Sequence, residues 1–143
     1  MSVMSSATCS DTLYLAGYFT TQAIMGTTTL SSQGAEDIFV AALRVSDGAV
    51  HWAISGGGVN TDEGRAITCD NSTGKVYVTG GFTDSMTFSS TDSTIKTAIA
   101  QSKDVFIASI TSGSLAVDWF GVMCLTVTCR GSGRETGKRW WRR

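Results

Sequence analysis

Few residues of this 143-residue chain could do chemistry. His51 is its one histidine, and the sequence places no partner close to it for work as a general base or a metal ligand. A Ser-His-Asp or Cys-His arrangement would have to be built on that imidazole alone, and a His-rich zinc site is excluded within one chain. Asp37 and Asp104 each precede a Phe-containing segment, and paired carboxylates on one rim could offer oxygen ligands to a cation. No Asp-x-Asp-x-Asp-Gly loop accompanies them, so each is expected to be a turn residue whose carboxylate accepts backbone N–H bonds. Asp62-Glu63-Gly64 is read in the same way, as a turn. Gly131 to Lys138 superficially suggests a phosphate loop, but the G-x-x-x-x-G-K-[ST] pattern fails at Ser132 and at Arg139. The expectation is no catalytic, cofactor-binding or metal site.

Sulfur chemistry is equally sparse. The cysteines are Cys9, Cys69, Cys124 and Cys129, too few for a disulfide scaffold and without a CxxC pair. Ala7-Thr8-Cys9, Ile67-Thr68-Cys69 and Val127-Thr128-Cys129 recur at offsets of 60, which places the three cysteines at matching positions of successive units. Packed sheets lie ~10 Å apart, whereas a disulfide needs Cα atoms within ~7 Å. Reduced, buried thiols are therefore expected, although sheets that converge on an axis would weaken the argument. Cys124 and Cys129 would point to opposite faces of one strand, a poor zinc geometry. Asn71-Ser72-Thr73 is an N-glycosylation sequon in an expected turn, relevant only to a secreted chain.

These residues must be positioned by a repeat. Leu13 to Thr20 recurs as Val76 to Thr83 at an offset of 63, and Asp37 to Leu43 recurs as Asp104 to Ile110 at 67. Ala49-Val50-His51-Trp52 recurs as Ala116-Val117-Asp118-Trp119, again at 67, which makes His51 the counterpart of Asp118 at a solvent-facing position. The motifs are short, rich in β-branched and aromatic residues, and bounded by Gly, Ser, Asp and Asn clusters, as strands are. Asp47-Gly48, Ser112-Gly113 and Asn71-Ser72-Thr73-Gly74 supply hairpin turns between them. No segment sustains a 3.6-residue period, and residues 94–102, the most helix-like stretch, are interrupted by Thr. One repeat is thus four antiparallel strands in about 60–67 residues, the size of a propeller blade. Such a sheet, apolar on both faces, must stack between copies of itself. A β-sandwich would not explain why the motifs keep one order.

Gly57-Gly58, Asp62-Glu63-Gly64-Arg65-Ala66-Ile67 and Val76-Tyr77-Val78-Thr79-Gly80 together resemble the SBBP beta-propeller repeat family. Asp37-Ile38-Phe39-Val40-Ala41 and Asp104-Val105-Phe106-Ile107-Ala108 resemble that family's D-x-F-V-A-K-L strand. The resemblance covers about residues 7–122. It implies binding or assembly modules within larger, often extracellular or surface proteins, and it brings no catalytic set. The pattern is broken at Cys9 and Cys69, where a small apolar residue is usual, and after Trp119, where the Gly-Gly and acidic-Gly segment is missing.

The expected fold is therefore all-β: an incomplete propeller in residues 1–129, with blade-like units at about 7–55 and 65–122 and a partial unit at 123–129. Residues 130–143 form a basic tail expected to be disordered. Charge divides at the same place. Residues 1–129 hold five basic and eleven acidic groups, net −6, while residues 130–143 hold six basic groups and Glu135, net +5. No apolar run approaches the ~20 residues of a membrane-spanning helix, no secretory signal is read at the start, and the compartment stays open. Two blades cannot close a ring, so a fragment of a longer protein, or assembly with further blades, is expected. The function expected is a non-enzymatic module that engages another protein or ligand through rim loops at Thr21–Glu36 and Asp84–Lys103. The alternative is a nucleic-acid or anionic-membrane contact through Lys138, Arg139, Trp140, Trp141, Arg142 and Arg143, whose cations would offset phosphates while indoles stack or enter lipid. Against it stands the expectation that this tail is a non-native extension.

Overall fold

A computed structural model describes residues 1–88 and 96–123. The described chain is all-β, without a helix. Its strands are β1 (Ser2–Cys9), β2 (Thr12–Phe19), β3 (Gln22–Met25), β4 (Thr28–Ser31), β5 (Asp37–Arg44), β6 (Val50–Gly57), β7 (Glu63–Asp70), β8 (Lys75–Phe88), β9 (Lys96–Thr111) and β10 (Ala116–Met123). Each strand motif of the sequence among these residues falls on a strand, with Thr20 and Ala49 just outside their ends.

The strands form two antiparallel meanders. In the first unit β1, β2, β5 and β6 pair in that order, and in the second β7, β8, β9 and β10 do so. The far end of β8 also pairs with β6 through Gly56↔Phe88 and Gly57↔Thr87, which joins both meanders into one curled sheet of eight strands. Alternate residues of a strand point to opposite faces. Apolar residues fill both faces of the central strands, so β5 is buried from Asp37 to Ala42.

Two clusters result. The larger lies between the units, where Tyr14, Ala16, Ile38, Val40 and Ala42 of the first meet Val76, Val78, Phe106, Ile110 and Val117 of the second. The smaller lies on the first unit's other face, where Ala23, Met25 and Leu30 of the β3–β4 hairpin cover Phe19, Phe39, Ala41 and Ala53.

The units repeat in backbone detail as well as in strand order. Each has a bulge early in its first strand, at Met4 and at Arg65, and another near the start of its fourth, at His51 and at Asp118. Left-handed residues recur too. Thr21 (φ 59°) matches Asp84 (φ 64°) at the offset of 63, and Gly48 (φ 73°) matches Leu115 (φ 59°) at 67.

The segments expected to be rim loops are largely strand. Residues 21–36 contain the β3–β4 hairpin, and in the second unit Ser85 to Phe88 pair with Lys96 to Ile99 as a continuation of β8 and β9. Thr, Ile and Met alternation in these segments satisfies a two-residue period, which outweighed their Ser and Thr content. The stretch at 94–102 is not helical where it is described, since β9 begins at Lys96.

Candidate functional site

Two buried aspartates root the hairpins at the junction of the units. Asp37, at the start of β5, is 1% exposed and accepts the Gln33 N–H at 2.8 Å through Oδ2. Its Oδ1 is buried without a hydrogen-bond partner. That carboxylate lies against Gly57, where a Cβ would overlap it, so only glycine fits there. Asp62 is 0% exposed and bridges two segments, accepting Gly58 N–H at 2.7 Å and Thr83 N–H at 3.0 Å. Its own N–H donates to the Glu36 carbonyl at 2.7 Å, beside a parallel bridge between Glu36 and Thr61. Asn60 then donates to the Asp84 carboxylate at 2.6 Å, at the left-handed residue where the second hairpin departs.

Burial sets the electrostatics of this junction. Loss of water raises the Asp62 carboxyl to about 6, against the Thr83 and Gly58 N–H bonds, and the Asp37 and Asp84 charges push the same way as burial. Asp37 is raised for the same leading reason, offset in part by the Gln33 N–H and the Ser32 hydroxyl. Glu63 behaves oppositely. Burial would raise it, but Arg65 and Lys103, the latter at 3.3 Å, hold it below the usual carboxylate range.

The expected turn roles are met unevenly. Asp37 does accept a backbone N–H, but Asp104 lies inside the long β9, opposite Phe82, rather than in a turn. Asp62 is a buried tie between segments, while Glu63 and Gly64 already belong to β7. Asp70 holds the β7–β8 turn instead, accepting Ser72 N–H at 2.8 Å and the Thr73 hydroxyl at 2.8 Å. Between β9 and β10 the left-handed residue is Leu115, not Gly113.

His51 is exposed, and it is the extra residue of a β-bulge, as Asp118 is in β10. The bulge explains why such different residues share one repeat position: neither belongs to the ladder. Among the described residues no cluster of three or more His, Cys, Asp or Glu could hold a metal ion. Asn71 is exposed in its turn and accepts a hydrogen bond from the Ser10 hydroxyl at 2.9 Å. Cys124, Cys129, the Gly131–Lys138 segment and the tail residues Lys138, Arg139, Trp140, Trp141, Arg142 and Arg143 lie outside the described residues.

Cys9 and Cys69 are not reduced: they form a disulfide, with Cα atoms 6.2 Å apart. The reason is a one-residue slip. Cys9 stands opposite Thr12, but Cys69 stands opposite Val76, and Val76 matches Leu13 at the offset of 63. In the ladder Cys69 therefore matches Thr8, and the true offset of the inner strands is 61. Matching positions would put both thiols on the same face of their respective sheets. The slip turns them toward each other across the interface, where both pack against the larger core cluster. Counting from the paired Tyr strands, rather than from the Thr-Cys match itself, would have exposed it.

No protein-family model matches the chain, and no curated protein matches it.

Proposed function

We propose that this chain is a non-enzymatic interaction module of the β-propeller type, related in design to SBBP repeats, which presents its two hairpins to another protein or ligand. The observation that carries this reading is the shared rooting of the hairpins. Both leave their units at aligned left-handed residues, Thr21 and Asp84, and a network around the buried Asp37 and Asp62 ties their bases to the linker between units. Binding surfaces of this kind are variable segments on a rigid scaffold. Residues 22–31 and 85–88 differ in sequence while the strands beneath them repeat, which suits variation of a contact surface. The disulfide favours an oxidising compartment, in keeping with the extracellular or surface setting that the resemblance implies.

The test is a pair of proteins, the oxidised full chain and a variant in which the exposed hairpin residues Gln22, Thr29 and Ser31 are changed to Ala, each applied to glycan and peptide arrays. Spots bound by the first and lost by the second support the reading, and identical spot patterns overturn it. Turnover of chromogenic ester, phosphate or glycoside substrates that disappears in His51→Ala would overturn its non-enzymatic half.

The net +5 of residues 130–143 favours a second reading, contact with nucleic acid or an anionic membrane. Equal, salt-insensitive signals on anionic vesicles and single-stranded DNA from the full chain and from a 1–129 truncation would remove it.

A further inference from the structure

The interface between the units also states what each free face is shaped to meet. Val76, Val78, Ile110 and Val117 of the second unit are at most 2% exposed, because the first unit covers them. At the same repeat positions the first unit carries Leu13, Leu15, Leu43 and Val50, apolar in every case and all partly exposed. The opposite faces show the converse. Ile38 and Val40 are 0% exposed beneath the second unit, whereas their counterparts Val105 and Ile107 are 39% and 36% exposed. Strand edges follow the faces. Thr87 and Phe88 pair with β6 of the preceding unit, whereas Ile24, which matches Thr87, is 70% exposed on β3. Each end of the molecule thus offers one half of an interface that its middle already contains.

We propose that the face of the first unit bearing Leu13, Leu15 and Leu43 seats on the face of the second unit bearing Val105 and Ile107 in another copy of this chain, head to tail. A second copy is the occupant because the chain itself supplies the matching surface. Val105 and Ile107 stand where Ile38 and Val40 stand, and Leu13 and Leu43 stand where Val76 and Ile110 stand. The intermolecular contact continues the internal one in the same order and direction. The two patches are different, so the association is heterologous and either closes into a ring or extends. This inference rests on the reading of the two units as stackable sheets of one kind, and it is independent of what the hairpins bind.

Light scattering and sedimentation across a concentration series test it on the oxidised full chain. The expected mass rises to a multiple of the single chain. Ile107→Asp and Leu13→Glu are each expected to stay monomeric alone, with circular dichroism and thermal unfolding confirming that they fold. Mixed in equal amounts they should form a species of two chains and no larger, because only one complementary pair of faces survives. Should Leu13→Glu fail to fold, Ile24→Glu on the exposed hairpin strand takes its place. A wild-type chain that stays monomeric throughout overturns the proposal. So does a single variant that assembles as the wild type does, or a mixture that stays monomeric. Loss of array binding in the hairpin variant with assembly retained would separate the two readings, as would the reverse.

Discussion

Ile110 and Leu43 occupy the same place in the two units, yet Ile110 is completely buried while Leu43 is partly exposed. The two meanders share strand order, bulges and left-handed turn residues and differ within only in the hairpin, which is a separate sheet in the first and a continuation of β8 and β9 in the second. The second unit has the first against one face. Among the described residues the first has its own β3–β4 hairpin there, whose Ala23, Met25 and Leu30 cover part of the equivalent face. A repeat thus provides its own control: the same position can be compared with and without a neighbouring sheet.

The largest expected effect comes from separating the units. Changing both Cys9 and Cys69 to Ala opens a crosslink of sequence separation 60, and loop-closure entropy for a loop of that size predicts a loss of about 4 kcal/mol. Urea unfolding of the variant and of the oxidised wild type measures it. A loss well under half that value would mean that packing alone holds the units together in the unlinked chain.

Next comes the packing asymmetry itself. Ile110→Ala should cost about 3–4 kcal/mol and Leu43→Ala about 1–2, because only the first leaves an enclosed cavity. Both are compared in the monomeric Ile107→Asp background, where equal costs in urea unfolding would deny that the first unit's face is open in the single chain.

The junction carboxylate gives a smaller, pH-dependent effect. Asp62 rises from 3.8 in its unperturbed state to about 6 in the folded chain. The stability it contributes is fully present below the lower value and is lost as pH rises through the upper one. Asp62→Asn forfeits one N–H acceptor at every pH but does not titrate. Its stability relative to wild type should therefore improve, on the order of 2 kcal/mol, between about pH 4 and pH 7. Glu63 works in the opposite sense but is present in both proteins and cancels. Parallel pH profiles would show that Asp62 titrates in the folded chain as it does in the unfolded one.

The smallest effect lies in the turns. Gly48 and Leu115 both take positive φ, which costs an L side chain roughly 1 kcal/mol. Leu115→Gly should therefore be neutral or stabilising by up to about 1 kcal/mol, set against the packing that Leu115 gives the core, while Gly48→Leu should destabilise by a similar amount. Thermal unfolding of the pair resolves the sign.

The strands and the turn at Asn71 to Gly74 were legible in the sequence because a two-residue apolar period and turn residues are local signals. What was not legible depends on register. The disulfide is not legible because the Thr-Cys motif aligns at 60 while the ladder aligns at 61, a difference absorbed by turns of unequal length, Ser10–Asp11 in the first unit and Asn71–Gly74 in the second. The solvent-facing position of His51 was legible, but not the bulge that takes it and its counterpart Asp118 out of the ladder. Asp62 read as a turn residue because burial comes from Gly58 and Thr83, brought to it by folding. The Ser and Thr content of the hairpins points to loops, whereas their residues alternate and pair as strands.

The cysteine slip bears on how the chain arose. Had the second unit been copied from the first without change, both thiols would have stood at one ladder position and faced the same way, and no bond between them could form. The crosslink therefore cannot be older than the divergence of the two units. A cysteine on a one-residue shift is a joint that a perfect duplication lacks, and it gives this pair of sheets a fixed order in which neither can stand in for the other.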